Sequence, residues 1–222
     1  MSEKLILTIA LMGGTGKVGP GLAMRWANAG YRVIIGSRDE AKAQGVAAEL
    51  NETLGIDSIT GMENSQAAEA ADICVLTVNQ EAHEATVKSL RQAVQGKIVV
   101  DTTARVDYKD PHPPGPPSAA RMAQEVFGPG VRVVAAFQTV PAHALKKEIG
   151  QPLPMSVLVC ADDVDAAEEV IKLARGADLR AYYAGDLDNA GTVEGLTALI
   201  LAMNKHYGSR TGSLKVTGIE SE

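Results

Sequence analysis

Residues Gly13-Gly14-Thr15-Gly16-Lys17-Val18-Gly19 constrain the fold more than any other stretch of the chain. An apolar run from Leu5 to Met12, broken only by Thr8, leads into them, and an amphipathic run from Leu22 to Ala29 follows. The order is strand, glycine turn, helix. Read as G-x-G-x-x-G, the motif puts Gly14 at the tight turn and Gly16 where backbone must approach a pyrophosphate. Gly19 then falls where the helix packs closely on the strand. Free amides at the helix start would face the phosphates. These features predict an α/β fold that binds a dinucleotide.

A second strand, Tyr31 to Gly36, ends in Ser37-Arg38, with Lys42 one helical turn further on. An acid at this strand end would accept hydrogen bonds from the adenosine ribose. Here a hydroxyl and a guanidinium stand instead, while Asp39 and Glu40 are expected to point away. Arginine can grip a phosphate with two parallel hydrogen bonds, so Ser37, Arg38 and Lys42 favour NADP over NAD.

Helix formers fill residues 40 to 54, stopped by Gly55. Strands are expected at Ser58–Met62, Ile73–Val78, Lys97–Val100, Val131–Ala136, Met155–Cys160 and Leu179–Ala184. Thr77 and Val78 would end a central strand at the sheet edge that carries the glycine turn, where open α/β sheets bind ligands. Asn64 is a cap candidate for a helix from Ser65 to Ala71, and Asp162 or Asp163 for a later helix. His83, without a partner at ligand spacing, reads as a surface or helix-packing residue. His143 is the histidine best placed for substrate contact, although simple exposure on a loop is the better account of it. Five prolines between Asp110 and Pro117 exclude helix and inner strand. They leave a stiff surface loop or a rim over the cleft.

With 222 residues, the chain suits one well-buried domain plus a small extension. The expected division is a nucleotide-binding domain over residues 1–142 and a small C-terminal lobe over 143–222. That lobe would complete the acceptor cleft and carry a subunit interface. A net charge of −6 argues against nucleic-acid or anionic-membrane partners. Cys74 and Cys160 read as buried free thiols. Lys4 and the apolar run after it read as the first strand rather than a signal peptide, and no stretch has the roughly 18 apolar residues of a membrane span. A cytoplasmic location is expected. Thr192 to Tyr207 is a helix apolar on nearly all sides, which predicts a core helix also covered by a partner in a homodimer. No triad, metal cluster or carboxylate pair stands out, so no catalytic side chain is assigned.

Together these stretches resemble the NADPH:coenzyme F420 oxidoreductase family. The residues carrying the resemblance are Gly13 to Gly19, Gly36-Ser37-Arg38 with Lys42, Ser58 to Met62, Asp72 to Thr77 and Ser118-Ala119-Ala120. Thr139-Val140-Pro141-Ala142, Cys160 to Asp163 and Glu194-Gly195-Leu196-Thr197 extend it along nearly the whole chain. The resemblance implies a Rossmann-type doubly wound, mostly parallel sheet with a small C-terminal α/β lobe. It also implies hydride transfer between nicotinamide C4 of NADP(H) and C5 of the deazaflavin coenzyme F420, a small-molecule co-substrate. Thr15, Gly16, Lys17 and Val18 would hold pyrophosphate and ribose. Ser37, Arg38 and Lys42 would hold the 2′-phosphate. Thr77 and Ala142 would lie near the nicotinamide, and Gln138 with Thr139 at the acceptor. The chain departs from the pattern at Gln138, where the family often has His, and at Asp101-Thr102-Thr103, more polar than the family's stretch. Glutamine hydrogen-bonds but carries no proton. The rival readings are an NADPH-dependent reductase of a flavin, quinone or imine, and a non-catalytic NADP-sensing protein. A short-chain dehydrogenase is excluded, because no tyrosine has a lysine four residues on.

Overall fold

The computed structural model describes residues 6–219. The expected start of the first strand at Leu5, and Lys4, lie outside the described residues. The elements in order are β1 (Thr8–Met12), α1 (Gly19–Asn28), β2 (Arg32–Ser37), α2 (Glu40–Leu54), β3 (Ile59–Glu63), α3 (Asn64–Ala70), β4 (Ile73–Leu76) and α4 (Gln80–Leu90). There follow β5 (Ile98–Asp101), α5 (Ala119–Phe127), β6 (Arg132–Ala135), β7 (Ser156–Ala161), α6 (Val164–Gly176), β8 (Arg180–Tyr183) and α7 (Ala190–His206).

The strands form one sheet in the order β3-β2-β1-β4-β5-β6-β7-β8. The first six are parallel, and β7 turns antiparallel against β6, with Val134 opposite Ala161. The β3-β2-β1-β4-β5-β6 segment is the Rossmann order, and its switch point lies between β1 and β4. Alternation along β1 shows why its strands read as continuous apolar runs. Ile9 and Leu11 face one core layer with Leu22 and Trp26; Ala10 and Met12 face the other with Leu90 and Phe127. A strand covered on both faces has no polar side to show.

The sheet continues from β6 into β7, and α1 bridges to the later residues. Arg25, fully buried, donates to the carbonyls of Leu145 (2.9 Å) and Lys147 (2.6 Å) and pairs with Asp178 (2.9 Å). Trp26 Nε1 donates to Leu173 O at 2.8 Å.

Among the described residues, side chains cap five of the seven α-helices. Asp39, Glu63, Asn79, Ser118 and Asp163 accept from amides of the first turns of α2, α3, α4, α5 and α6. Asp163 thus fills the expected cap, whereas Asp162 receives Arg121 and the Leu187 amide. Asn64 does not cap α3. Glu63 does, because Asn64 turns its Oδ1 back to the Gly13 amide at 3.2 Å.

Helix α7 departs from expectation. Its buried face is Ala190, Val193, Glu194, Thr197 and Ala198, while Leu199 and Met203 stand more than half exposed. The helix is not a core helix within the chain. Its inward positions carry a carboxylate and a hydroxyl because polar groups beneath them need partners.

Candidate functional site

The glycine turn closes over the C-terminal ends of β1 and β4. Gly13 takes a left-handed φ of 70°, and a Cβ there would meet Val78 Cγ1 at 2.5 Å. Gly13 thus joins Gly14 in the tight turn, where a Cβ on Gly14 would stand 2.7 Å from Leu11 O. Val78 packs against Gly13. Gly14 stitches the turn to two strands, its amide donating to Leu11 O (3.0 Å) and Gly36 O (2.9 Å). A Cβ on Gly19 would lie 2.6 Å from Gly14 Cα, so α1 can start here only on glycine. Gly16 differs from these. It is exposed, and a Cβ would touch only Gly13 O at 3.3 Å and Thr77 O at 3.6 Å.

No side chain caps α1, which begins at Gly19-Pro20 behind Val18. Among the described residues the amides of Thr15, Lys17 and Val18 have no hydrogen-bond partner. Unpaired amides at the positive end of a helix form an anion site.

At the end of β2, Ser37 is buried and its Oγ accepts from the Asp39 amide at 3.2 Å. Asp39 Oδ1 is taken by the Lys42 amide (3.1 Å) and Glu40 by Gln44 (3.1 Å), so both acids have partners within the helix start. Arg38 and Lys42 are exposed, and among the described residues neither forms an ion pair. Two cations without partners thus stand one strand away from the open helix start.

The strand ends beyond the switch point are closed by threonines. Thr77 Oγ1 donates to Met12 O at 3.0 Å, and Thr102 Oγ1 to Leu76 O at 2.8 Å. Beyond β6, Phe137 has a φ of 71° and opens the turn that carries Gln138, Thr139 and half-buried Ala142. Gln138 Nε2 donates to Asp101 O at 3.1 Å, and Thr197 of α7 donates to Gln138 O at 3.1 Å. Thr139 is buried beside them, whereas His143 is exposed.

His83 has a partner after all. It is buried, and its Nε2 lies 2.6 Å from Asp101 Oδ2, while Asp101 Oδ1 accepts from the Thr103 amide at 2.9 Å. Burial disfavours the imidazolium, but the hydrogen bond and charge of Asp101 outweigh it and raise the His83 pKa. Glu194 of α7 accepts from the Ala119 amide at 2.6 Å and pairs with Arg105 at 3.1 Å. Burial nonetheless drives its pKa up, against the pull of those two partners. Sequence reasoning missed the His83–Asp101 pair because its members are 18 residues apart on a helix and a strand end. One signal was present: His83 shares the i, i+4, i+7 face of α4 with Val87 and Leu90.

Residues leading into the proline-rich segment touch the glycine turn and α7. Lys17 Nζ sits 5.9 Å over the Tyr108 ring at one end, and Lys205 of α7 donates to Lys109 O at 3.1 Å. The prolines themselves pack toward α7, where a Cβ on Gly195 would meet Pro113 Cβ at 3.5 Å.

Comparison with known proteins identifies the family. Residues 8–105 match the family described as NADP oxidoreductase, coenzyme F420-dependent. The F420-dependent NADP reductase of Methanothermobacter thermautotrophicus is 36% identical, with both chains covered in full. The chain belongs to the F420-dependent NADP reductase family. The family's member from Methanocaldococcus jannaschii is also 36% identical, over 96% of this chain and 100% of its own. The solved structure of a putative F420-dependent NADP reductase from Arthrobacter sp. FB24 superposes with a TM-score of 0.79 at 25% identity, covering 95% and 99% of the two chains. The glycine turn, Ser37, Arg38 and Lys42 follow β1 and β2 on one side of the switch point, and Thr77 follows β4 on the other. Gln138, Thr139 and Ala142 lie at the β6 end. Among the described residues no group of three His, Cys, Asp or Glu is arranged to hold a metal.

Proposed function

We propose that this chain is an oxidoreductase that transfers a hydride between NADP(H) and the deazaflavin coenzyme F420. The observation that carries the reading is full-length similarity to proteins named for that activity, at 36% identity. The residues fit the two groups. Gly16 provides a backbone surface that a side chain would fill, beside amides without partners, and Arg38 and Lys42 provide free cations for a 2′-phosphate. The orphaned polar atoms near Asp101 suit a polar ring.

When bound, the nicotinamide and deazaflavin rings supply the hydride chemistry themselves. The protein's task is to hold two rings face to face, with reacting carbons about 3–3.5 Å apart, in a site that excludes water. In this reading Thr15, Gly16, Lys17 and Val18 hold pyrophosphate and ribose, with Gly14 and Gly19 shaping the turn. Ser37, Arg38 and Lys42 select the 2′-phosphate. Thr77, Val78 and Ala142 border the nicotinamide, and Gln138 and Thr139 border the acceptor. The lobe over residues 143–222 completes the acceptor side through Thr197 and Glu194.

The exposed Leu199 and Met203 of α7, with Tyr207 just past its end, support a homodimer built on that face. Two unpaired thiols suit a reducing, cytoplasmic location. Among the described residues no helix is long and apolar enough to cross a membrane. The test is direct: purified protein with NADPH and oxidised F420 should bleach the deazaflavin band, and NADP+ with reduced F420 should restore it. Tight NADP(H) binding with no change of the band in either direction would refute the reading.

A further inference from the structure

Among the described residues, two buried side-chain polar atoms lack a hydrogen-bond partner, Thr103 Oγ1 and Gln138 Oε1. Both belong to residues more than nine-tenths buried, at 3% and 8% exposure. Both are one hydrogen bond from Asp101. The Thr103 amide donates to Asp101 Oδ1 at 2.9 Å, and Gln138 Nε2 donates to Asp101 O at 3.1 Å. Asp101 is itself held by His83 at 2.6 Å and is fully buried. The two places where the chain departs from its family's pattern, residues 101–103 and 138, are therefore in contact.

The chemistry of the two atoms is fixed by their neighbours. Flipping the Gln138 amide would set its oxygen against Asp101 O, acceptor to acceptor, so Nε2 must face the carbonyl and Oε1 must stay free. Oε1 can only accept. Thr103 Oγ1, with no bond of its own, has a proton to donate. An acceptor and a donor together complement a group presenting N–H beside C=O. Buried polar atoms are rarely left unpaired, and a ligand is one partner that repairs the deficit.

We propose that Gln138 Oε1 and Thr103 Oγ1 form a specificity pair that reads a planar amide edge of a bound ring, Gln138 receiving its N–H and Thr103 donating to its C=O. The proposal deepens the reductase reading and rests on it. Two bound groups carry such an edge: the pyrimidinedione half of the deazaflavin and the carboxamide of the nicotinamide. Position at the β5 and β6 ends, beyond the switch point, makes the deazaflavin the expected source.

The test uses full-length protein and equilibrium titrations of F420, by its fluorescence, and of NADP+, by calorimetry. Thr103→Val keeps the shape and removes the hydroxyl; Gln138→Met keeps the reach and removes the acceptor. Each should weaken F420 binding about tenfold, ~1.4 kcal/mol, with NADP+ affinity within twofold of wild type. Thr103→Ser should restore it. Weakening of NADP+ alone would retain the amide-edge pair and assign it to the carboxamide. Unchanged affinity for both ligands in folded Thr103→Val would overturn the proposal. Wild-type reduction of F420, measured on the same preparation, separates this failure from failure of the reductase reading.

Discussion

Alanine at Gly16 and at Gly19 should have opposite consequences, although both glycines belong to one motif. A Cβ on Gly19 would stand 2.6 Å from Gly14 Cα and 2.7 Å from Gly14 C, both backbone atoms pinned by the Gly14 amide bonds to Leu11 and Gly36. Nothing flexible can give way. Overpacking of this kind costs about 1–3 kcal/mol, and a clash with pinned backbone belongs at the upper end. For a chain of this length each kcal/mol lowers Tm by roughly 2–4 °C, so Gly19→Ala should lose about 6–12 °C. On Gly16 the same methyl meets only Gly13 O at 3.3 Å and Thr77 O at 3.6 Å, in a backbone conformation open to any residue. Gly16→Ala should keep a wild-type Tm to within ~2 °C. Its methyl would occupy the surface assigned to the pyrophosphate. Losing one charge-assisted hydrogen bond there, at about 1.5–3 kcal/mol, weakens NADP+ by roughly 10- to 150-fold. Differential scanning fluorimetry and calorimetric titration read the two effects separately. A Gly16→Ala protein that binds NADP+ within twofold of wild type would refute the division of labour between these glycines.

Three further predictions follow from the site and the surface. Arg38→Ala should weaken NADPH by about 10- to 150-fold, from charge-assisted bonds of ~1.5–3 kcal/mol, while leaving NADH affinity unchanged; equal weakening of both would remove Arg38 from the phosphate site. The His83 pKa is raised in the folded chain, so the His83–Asp101 pair stabilises fully below the ordinary value of about 6.5 and its contribution fades as pH rises through the folded pKa. Urea denaturation from about pH 6 to 9 should show that decline, and His83→Asn should flatten it; the same slope in the variant would assign the decline to another group. Leu199→Glu on the exposed face of α7 should shift the protein to a monomer in size-exclusion chromatography with little loss of Tm, and an unchanged elution volume would move the dimer interface elsewhere.

Local pattern carried most of the fold. Apolar runs such as Ile73 to Leu76 announced strands covered on both faces, Gly55 stopped α2 in a left-handed conformation, and Ser118 and Asp163 capped helices as their types predict. These features depend on neighbours within a few residues, so sequence alone determines them. The candidate nucleotide half is legible for the same reason: the glycine turn and Ser37-Arg38 are each continuous stretches placed by strand ends. The tertiary structure decided what long-range contact decides. It made Gly13 the left-handed residue of the turn, packed against Val78 just past the end of β4. It drew Asn64 away from its helix to the glycine turn, and it joined His83 to Asp101 in a buried pair. It also inverted α7, placing Glu194 and Thr197 inward against the Ala119 amide and the Gln138 carbonyl while Leu199 and Met203 face out. Hydrophobic periodicity identifies an apolar face, but it does not reveal a buried amide or carbonyl on a distant segment that requires a polar partner.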